Sequence, residues 1–300
     1  MAISSVRAQV NGTWYTLTYD SASGTYKGTI TAPGSTSFNR EGGYYDVTIE
    51  AINTAGTKTT VNGSDLAGLQ LVVRETVKPL IVMQSPTTGA YVTNNQPEIS
   101  FIIADEGGGS GVNIDNLSIK LDGKAVSFNE YSETPYAAGY TVVYVPANAL
   151  SDGSHTVTVD CTDNDGNQAT TGKTTFVVDT VPPTLNVTTP ADGLVTYNAS
   201  LGVAGSTNDA SASPVTVTIT VNEEDQGSVT VATNGSFSKT VTLAEGENTI
   251  VVTATDAAGK SSSVTRTVTK DSSAPVIQSV SIAPNPVNAG SSVIISVVIV

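Results

Sequence analysis

Asp160, Asp163 and Asp165 stand close together in the stretch DCTDNDGN. Three carboxylates at that spacing offer oxygen ligands to a hard cation such as calcium. No bidentate Glu closes a twelve-residue loop after them, so the stretch is not an EF-hand. The other reading is a polar turn whose Asp and Asn side chains bond their own backbone. Calcium is the only cofactor these residues suggest.

Other chemistry is sparse. A nucleophilic triad needs a base beside a nucleophile, and the one histidine, His155 in DGSHTVTV, opens a strand, where a structural role suits it. The single cysteine, Cys161, excludes an internal disulfide framework. It falls in an inward column of small residues, as a buried thiol does. Glycoside hydrolysis needs two carboxylates held across a cleft, whereas the acidic residues here fall in turns and connections. The run GGGSG (107–111) lacks the Lys-Ser/Thr of a phosphate loop and reads as a flexible turn. These residues point away from an enzyme.

The lone tryptophan, Trp14, lies in a cluster with Tyr15, Tyr19, Tyr26, Tyr44 and Tyr45. Val10-Asn11-Gly12-Thr13 is a two-residue hairpin signal. Its register turns Tyr15, Leu17 and Tyr19 inward with Val6, Ala8 and Val10, and Trp14 outward opposite Gln9. An outward tryptophan can stack on a sugar ring or anchor a protein contact.

The elements that must carry these residues are strands. Thr, Ser, Val and Gly dominate, charged residues are 13% of the chain, and no window spaces apolar residues for a helix. Three stretches repeat one pattern: GYYDVTIEAINTAGTKTT (43–60), GSHTVTVDCTDNDGNQAT (153–170) and GENTIVVTATDAAGKSSS (246–263). Alternation sends Val47, Val157 and Ile250, then Ile49, Val159 and Val252, then Ala51, Cys161 and Ala254 to one face. Asn53, Asp163 and Asp256 open the turns that follow. Gly56, Gly166 and Gly259 sit at the tips, where positive φ is needed. Tyr45, His155 and Asn248 share the position of a corner tyrosine in immunoglobulin-type sandwiches. In the third copy Val215, Val217, Ile219 and Val221 alternate inward, and Asn234-Gly235 offers a further hairpin.

The repeats are spaced by 110 and then 93 residues, which fits sandwich domains of about 100 residues. Prolines in VKPLIVMQSP, VPPTLNVTTP and APVIQSVSIAP mark handovers. The expected organisation is a shortened β module at 1–77, domains at 78–180 and 181–272, and the first strands of a further domain at 273–300. The closing strands, uncharged and without a sheet to join, predict either a longer natural chain or completion by a neighbouring subunit.

On these motifs the chain resembles the tandem immunoglobulin-like modules of bacteria and phages. The third module resembles them through NGSFSKTVTLAEGENTIVVTATDAAGK, and the second through LSDGSHTVTVDCTDNDGN. The opening, MAISSVRAQVNGTWYTLTYDSASGTYKGTITAP, resembles the first module of Ig-repeat proteins encoded among phage tail genes of Gram-positive bacteria. The resemblance implies an elongated array of all-β Ig-like sandwiches. It also implies a non-enzymatic spacer and adhesive component of a virion, present in many copies among other tail subunits and contacting host-surface glycans. Two alternatives share the modules: a surface-anchored bacterial adhesin, and accessory binding modules of an extracellular glycoside hydrolase. Binding candidates on this reading are Trp14 and the turn residues Asn53, Asp163, Asp165 and Asp256.

The net charge of −14 opposes nucleic-acid partners and anionic membrane surfaces. The closing VIISVVIV is too short to span a bilayer. The start MAISSVRAQV carries no secretory pattern, and with the lone cysteine this predicts assembly in a reducing compartment.

Overall fold

The computed structural model describes residues 2–209 and 211–300 and contains strands and short 3-10 turns, with no α-helix among them. No helix there is long and apolar enough to cross a membrane. The chain forms two compact units, Met1–Thr180 and Val181–Val300.

The first unit begins with one sheet built from β1 (Ile3–Val10), β2 (Thr13–Asp20), β3 (Thr25–Lys27), β4 (Tyr45–Asn53), β5 (Lys58–Val61) and β6 (Gln70–Leu71). Its order is β3-β2-β1-β4-β5, with β6 pairing β4. Asn11 and Gly12 take positive φ (47° and 81°), as a two-residue hairpin with the strands' right-handed twist requires. Val6, Ala8, Val10 and Tyr45 are buried. Tyr19 is not, contrary to its inward register. It pairs with Tyr26 of β3, the edge strand, and nothing covers that end of the face, so the ring is 55% exposed and lies 5.2 Å from that of Tyr26.

The rest of this unit is a two-layer sandwich. Its strands are β7 (Leu80–Ser85), β8 (Tyr91–Val92), β9 (Ile99–Ala104), β10 (Val112–Leu121), β11 (Lys124–Ala125), β12 (Tyr131–Tyr136), β13 (Gly139–Tyr144), β14 (Gly153–Asp163) and β15 (Gly172–Val178). Sheets β11-β10-β14-β15-β8 and β12-β13-β9-β7 face each other. Ile99, Phe101, Ile103 and Val142 from one meet Ile119, Val157, Val159, Cys161 and Phe176 from the other. Side chains alternate in and out of each sheet, so the Thr-rich positions between these residues face outward.

The second unit repeats the design. Its strands are β16 (Thr184–Thr189), β17 (Leu194–Thr196), β18 (Ser200–Asn208), β19 (Thr216–Val221), β20 (Glu224–Asp225), β21 (Ser236–Thr242), β22 (Gly246–Thr255) and β23 (Ser261–Lys270). Sheet β16-β18-β21 packs on β17-β23-β22-β19-β20 around Val203, Phe237, Ile219, Ile250, Val252 and Val268. Asn234-Gly235 lies in a wider turn closed by the bond from the Ala232 amide to the Ser236 carbonyl, with positive φ at Gly235 alone. A two-strand ribbon follows, β24 (Ile277–Ala283) and β25 (Ile294–Ile299), with every residue exposed.

The three corner positions do one job with three side chains. Tyr45 donates its hydroxyl to the Ser35 carbonyl at 3.0 Å. Asn248 donates its amide to the Ala244 carbonyl at 2.9 Å. His155 is bound between the Ser151 carbonyl (2.8 Å) and the Asp122 carboxylate (2.7 Å). Each ties the start of its strand to upstream chain.

Candidate functional site

Trp14 stands on the outer face of the first sheet, opposite Gln9, and is 37% exposed. The Arg7 guanidinium lies over its ring, 4.2 Å from the centroid. Arg7 Nε also donates to Glu50 at 2.5 Å, and Lys58 Nζ approaches the other Glu50 oxygen at 2.8 Å. Lys58 and then Arg7 hold the Glu50 carboxyl below its usual range. This outer face therefore carries an aromatic ring fixed by an ion-pair network, a surface suited to stacking on a flat, polar partner.

The turn residues build the turns themselves. In each of the three, the first residue accepts a bond from the amide four positions on: Asn53 from Thr57 (2.9 Å), Asp163 from Asn167 (2.8 Å) and Asp256 from Lys260 (2.8 Å). Gly56, Gly166 and Gly259 hold positive φ at the tips. Asp163 and Asp256 are 1% and 6% exposed, so the expectation that they face a ligand from an open loop tip does not hold. Asn53 stays on a turn at the sheet's rim.

Nor do Asp160, Asp163 and Asp165 converge on a cation. Strand alternation puts Asp160 on the opposite face from Asp163, where it accepts from the Thr171 hydroxyl. The second oxygen of Asp163 accepts from the Asn167 side chain at 2.7 Å. Asp165 turns toward the first sheet instead. One of its oxygens accepts from the Thr36 hydroxyl (2.5 Å) and the Glu75 amide (3.0 Å).

Asp165 belongs to a seam within the first unit. Asn167 Nδ2 donates to the Glu75 carbonyl at 3.2 Å, and Asn39 Nδ2 to the Gly109 carbonyl at 2.6 Å. The Ser110 amide donates to Glu75, and the Ser110 hydroxyl accepts from the Asp165 amide at 3.1 Å. The glycine run expected to be a flexible turn is thus a wall of this seam, with Gly109 and Ser110 buried.

Three further carboxylates gather there: Glu75, from the chain leaving the first sheet, and Asp105 and Glu106, which follow β9. One oxygen of each lies within 4.8 Å of the others. The neighbouring Glu75 carboxylate, with burial and Asp105, pushes Glu106 up to about 7. Sequence reasoning missed this group because Glu75 lies some thirty residues from its partners. The only local signal was the acidic pair set against the glycine run.

The two residues weighed for catalysis are structural. Cys161 is 1% exposed, and burial pushes its thiol up to about 11, so the nucleophilic thiolate is suppressed. Both nitrogens of His155 are committed to the corner.

Residues 90–180 match the bacterial Ig-like domain family, and residues 183–272 match domain B of glucodextranase. Compared with curated proteins, the chain has no match. Among solved structures it is similar to the fibronectin(III)-like modules of Clostridium thermocellum CbhA, at 17% identity over 64% of this chain and 95% of that one, with a TM-score of 0.40. A solved stretch of titin domains aligns at 13% identity over 90% of this chain and 95% of its own, with a TM-score of 0.42. Immunoglobulin domains 1–5 of Sidekick-1 align at 11% identity over 92% and 55%, with a TM-score of 0.41. The chain is an all-β protein that carries immunoglobulin-like β-sandwiches in tandem.

Proposed function

We propose that the chain is a non-enzymatic structural arm of a phage tail or related particle. Its Ig-like domains space and present the first sheet, and the Trp14 face makes the contact with a host-surface glycan. The observation that carries this reading is the contrast between Trp14, held outward by Arg7 on an open sheet face, and the turn residues, which are consumed by their own turns and by the seam. Binding through one aromatic face is weak in a single copy. Many copies on one particle raise it through effective concentration. The partners on this reading are other subunits of the particle and cell-surface sugars, with neither nucleic acid nor membrane insertion.

Fractionation of the native producer tests it. An antibody to residues 181–272 should follow tail-bearing particles on a density gradient. Signal in the cell-wall fraction would overturn the reading in favour of an anchored adhesin. The match to glucodextranase domain B supports a second reading, accessory modules of an extracellular hydrolase. That reading predicts signal in the particle-free medium, on a chain that also carries a catalytic domain.

A further inference from the structure

We propose that Glu75, Asp105 and Glu106 bind a calcium ion, which clamps the chain leaving the first sheet onto the neighbouring sandwich. The oxygens they offer lie within 4.8 Å of one another, the span across a coordination sphere whose metal–oxygen distances are about 2.3–2.6 Å.

Proximity alone would say little, but the partnering of these groups is one-sided. Asp105 is 8% exposed, and its Oδ1 is buried without a hydrogen-bond partner. Glu75 Oε2 and Glu106 Oε2 are in the same state. The other oxygens of Glu75 and Asp105 accept from the Ser110 amide and, at 2.7 Å, from the Gly111 amide. Backbone donors thus orient two of the carboxylates from one side, as an outer shell does around a metal site. Among the described residues the ion pairs of Lys, Arg and His go to Glu50, Asp20, Asp122 and Glu245, and none reaches these three. Buried like charges without a counter-charge are strongly unfavourable, and a cation removes that cost.

The glycine run lets the three carboxylates approach one another. A Cβ placed on Gly109 would stand 2.6 Å from Asp105 Oδ2, 2.7 Å from Glu75 Oε2 and 2.8 Å from Glu106 Oε1. The missing side chain at 109 is thus what lets one oxygen of each carboxylate close on the same stretch of backbone. An all-oxygen set without His or Cys selects a hard cation over zinc. Two surface clefts reach Glu106 and Gly108, one past Asn39 and Ser110, the other past Thr36 and Glu75. They let water complete an irregular shell, which calcium accepts and magnesium does not.

The test is calcium titration of the full chain by calorimetry, with thermal unfolding in calcium and in chelator. Glu106→Gln removes a ligand, and Gly109→Ala keeps all three ligands but forces a methyl group against their oxygens. Each variant should bind one calcium fewer than the parent. Calcium should raise the parent's unfolding midpoint and leave the variants' midpoints closer to their values in chelator. In chelator Glu106→Gln should be at least as stable as the parent, because it relieves like-charge crowding, and this shows that the variant folds. Magnesium should bind at least about tenfold more weakly. Absence of binding at millimolar calcium, or equal calcium numbers in parent and variants, overturns the site, leaving a shared proton as the neutralising group. Equal affinity for magnesium overturns the assignment to calcium.

Discussion

Strands Tyr45–Asn53 and Gly153–Asp163 carry the same alternation, begin at the same corner and end in the same turn. They nonetheless bury their inward columns differently. Val157, Val159 and Cys161 are at most 1% exposed, whereas Val47, Ile49 and Ala51 are half-buried. The difference lies in what faces them. A second sheet carrying Ile99, Phe101 and Val142 lies over the later strand, and the earlier one belongs to a single sheet. A face without a second layer gains less from burial. The first sheet depends correspondingly more on polar ties, and the turn after Asp163 supplies them through Asp165 and Asn167. The corresponding positions after Asp256 are Ala258, which has no side-chain acceptor to replace Asp165, and Lys260, which has no side-chain amide group.

Core truncation breaks the comparison most severely. Phe176→Ala, at a fully buried site, should cost the sandwich about 3–5 kcal/mol. Ile49→Ala in the first sheet should cost on the order of 1 kcal/mol for its half-buried side chain. Urea unfolding of both variants measures the gap. Next comes the seam. Asp165→Ala removes two bonds to a charged acceptor and should cost about 2 kcal/mol. The loss should show as faster proteolysis between residues 62 and 78, with the sandwich intact.

The pH dependence of the corner sharpens the contrast. Burial opposes the charged form of His155, but the Ser151 carbonyl and the Asp122 carboxylate raise its pKa above the ordinary 6.5. Protonated His155 therefore stabilises the folded domain fully below 6.5, and that contribution fades as pH rises through the raised value. For Asp122, on the exposed side of the corner, partial desolvation is outweighed by the Thr156 amide and His155; it titrates below its ordinary 3.8, so its share fades as pH falls through the lowered value. The urea midpoint of the first unit should fall as pH rises from below 6.5 through the raised His155 value. Asp122→Asn should flatten that fall. Smallest in stability is Trp14→Ala, at about 1 kcal/mol or less, because the ring's main contact is an exposed cation–π stack. Its predicted effect is on attachment, measured as retention of the chain on purified host cell walls.

The repeat was legible because each of its columns has a local physical reason. Alternation set the buried faces, three glycines marked positive-φ tips, and the corner position announced tied strands whatever side chain filled it. Tyr19 misled because alternation tells which face a residue lies on, and says nothing of whether that face is covered. Asp163 and Asp165 misled for a related reason. A polar turn residue looks the same in sequence whether water, its own backbone or a neighbouring module takes its bonds. Glu75, Asp105 and Glu106 were hidden by their separation in sequence.

The claim at the centre of this account is that the turn of residues 163–167 seats the first sheet and is not an open recognition loop. Amide hydrogen exchange tests it directly. The amides of Glu75 and Ser110, which donate across the seam, should exchange as slowly as those of the second domain's core strands. Exchange as fast as at the exposed turn of residues 54–56 would contradict it, returning the turn to the list of surfaces free to bind.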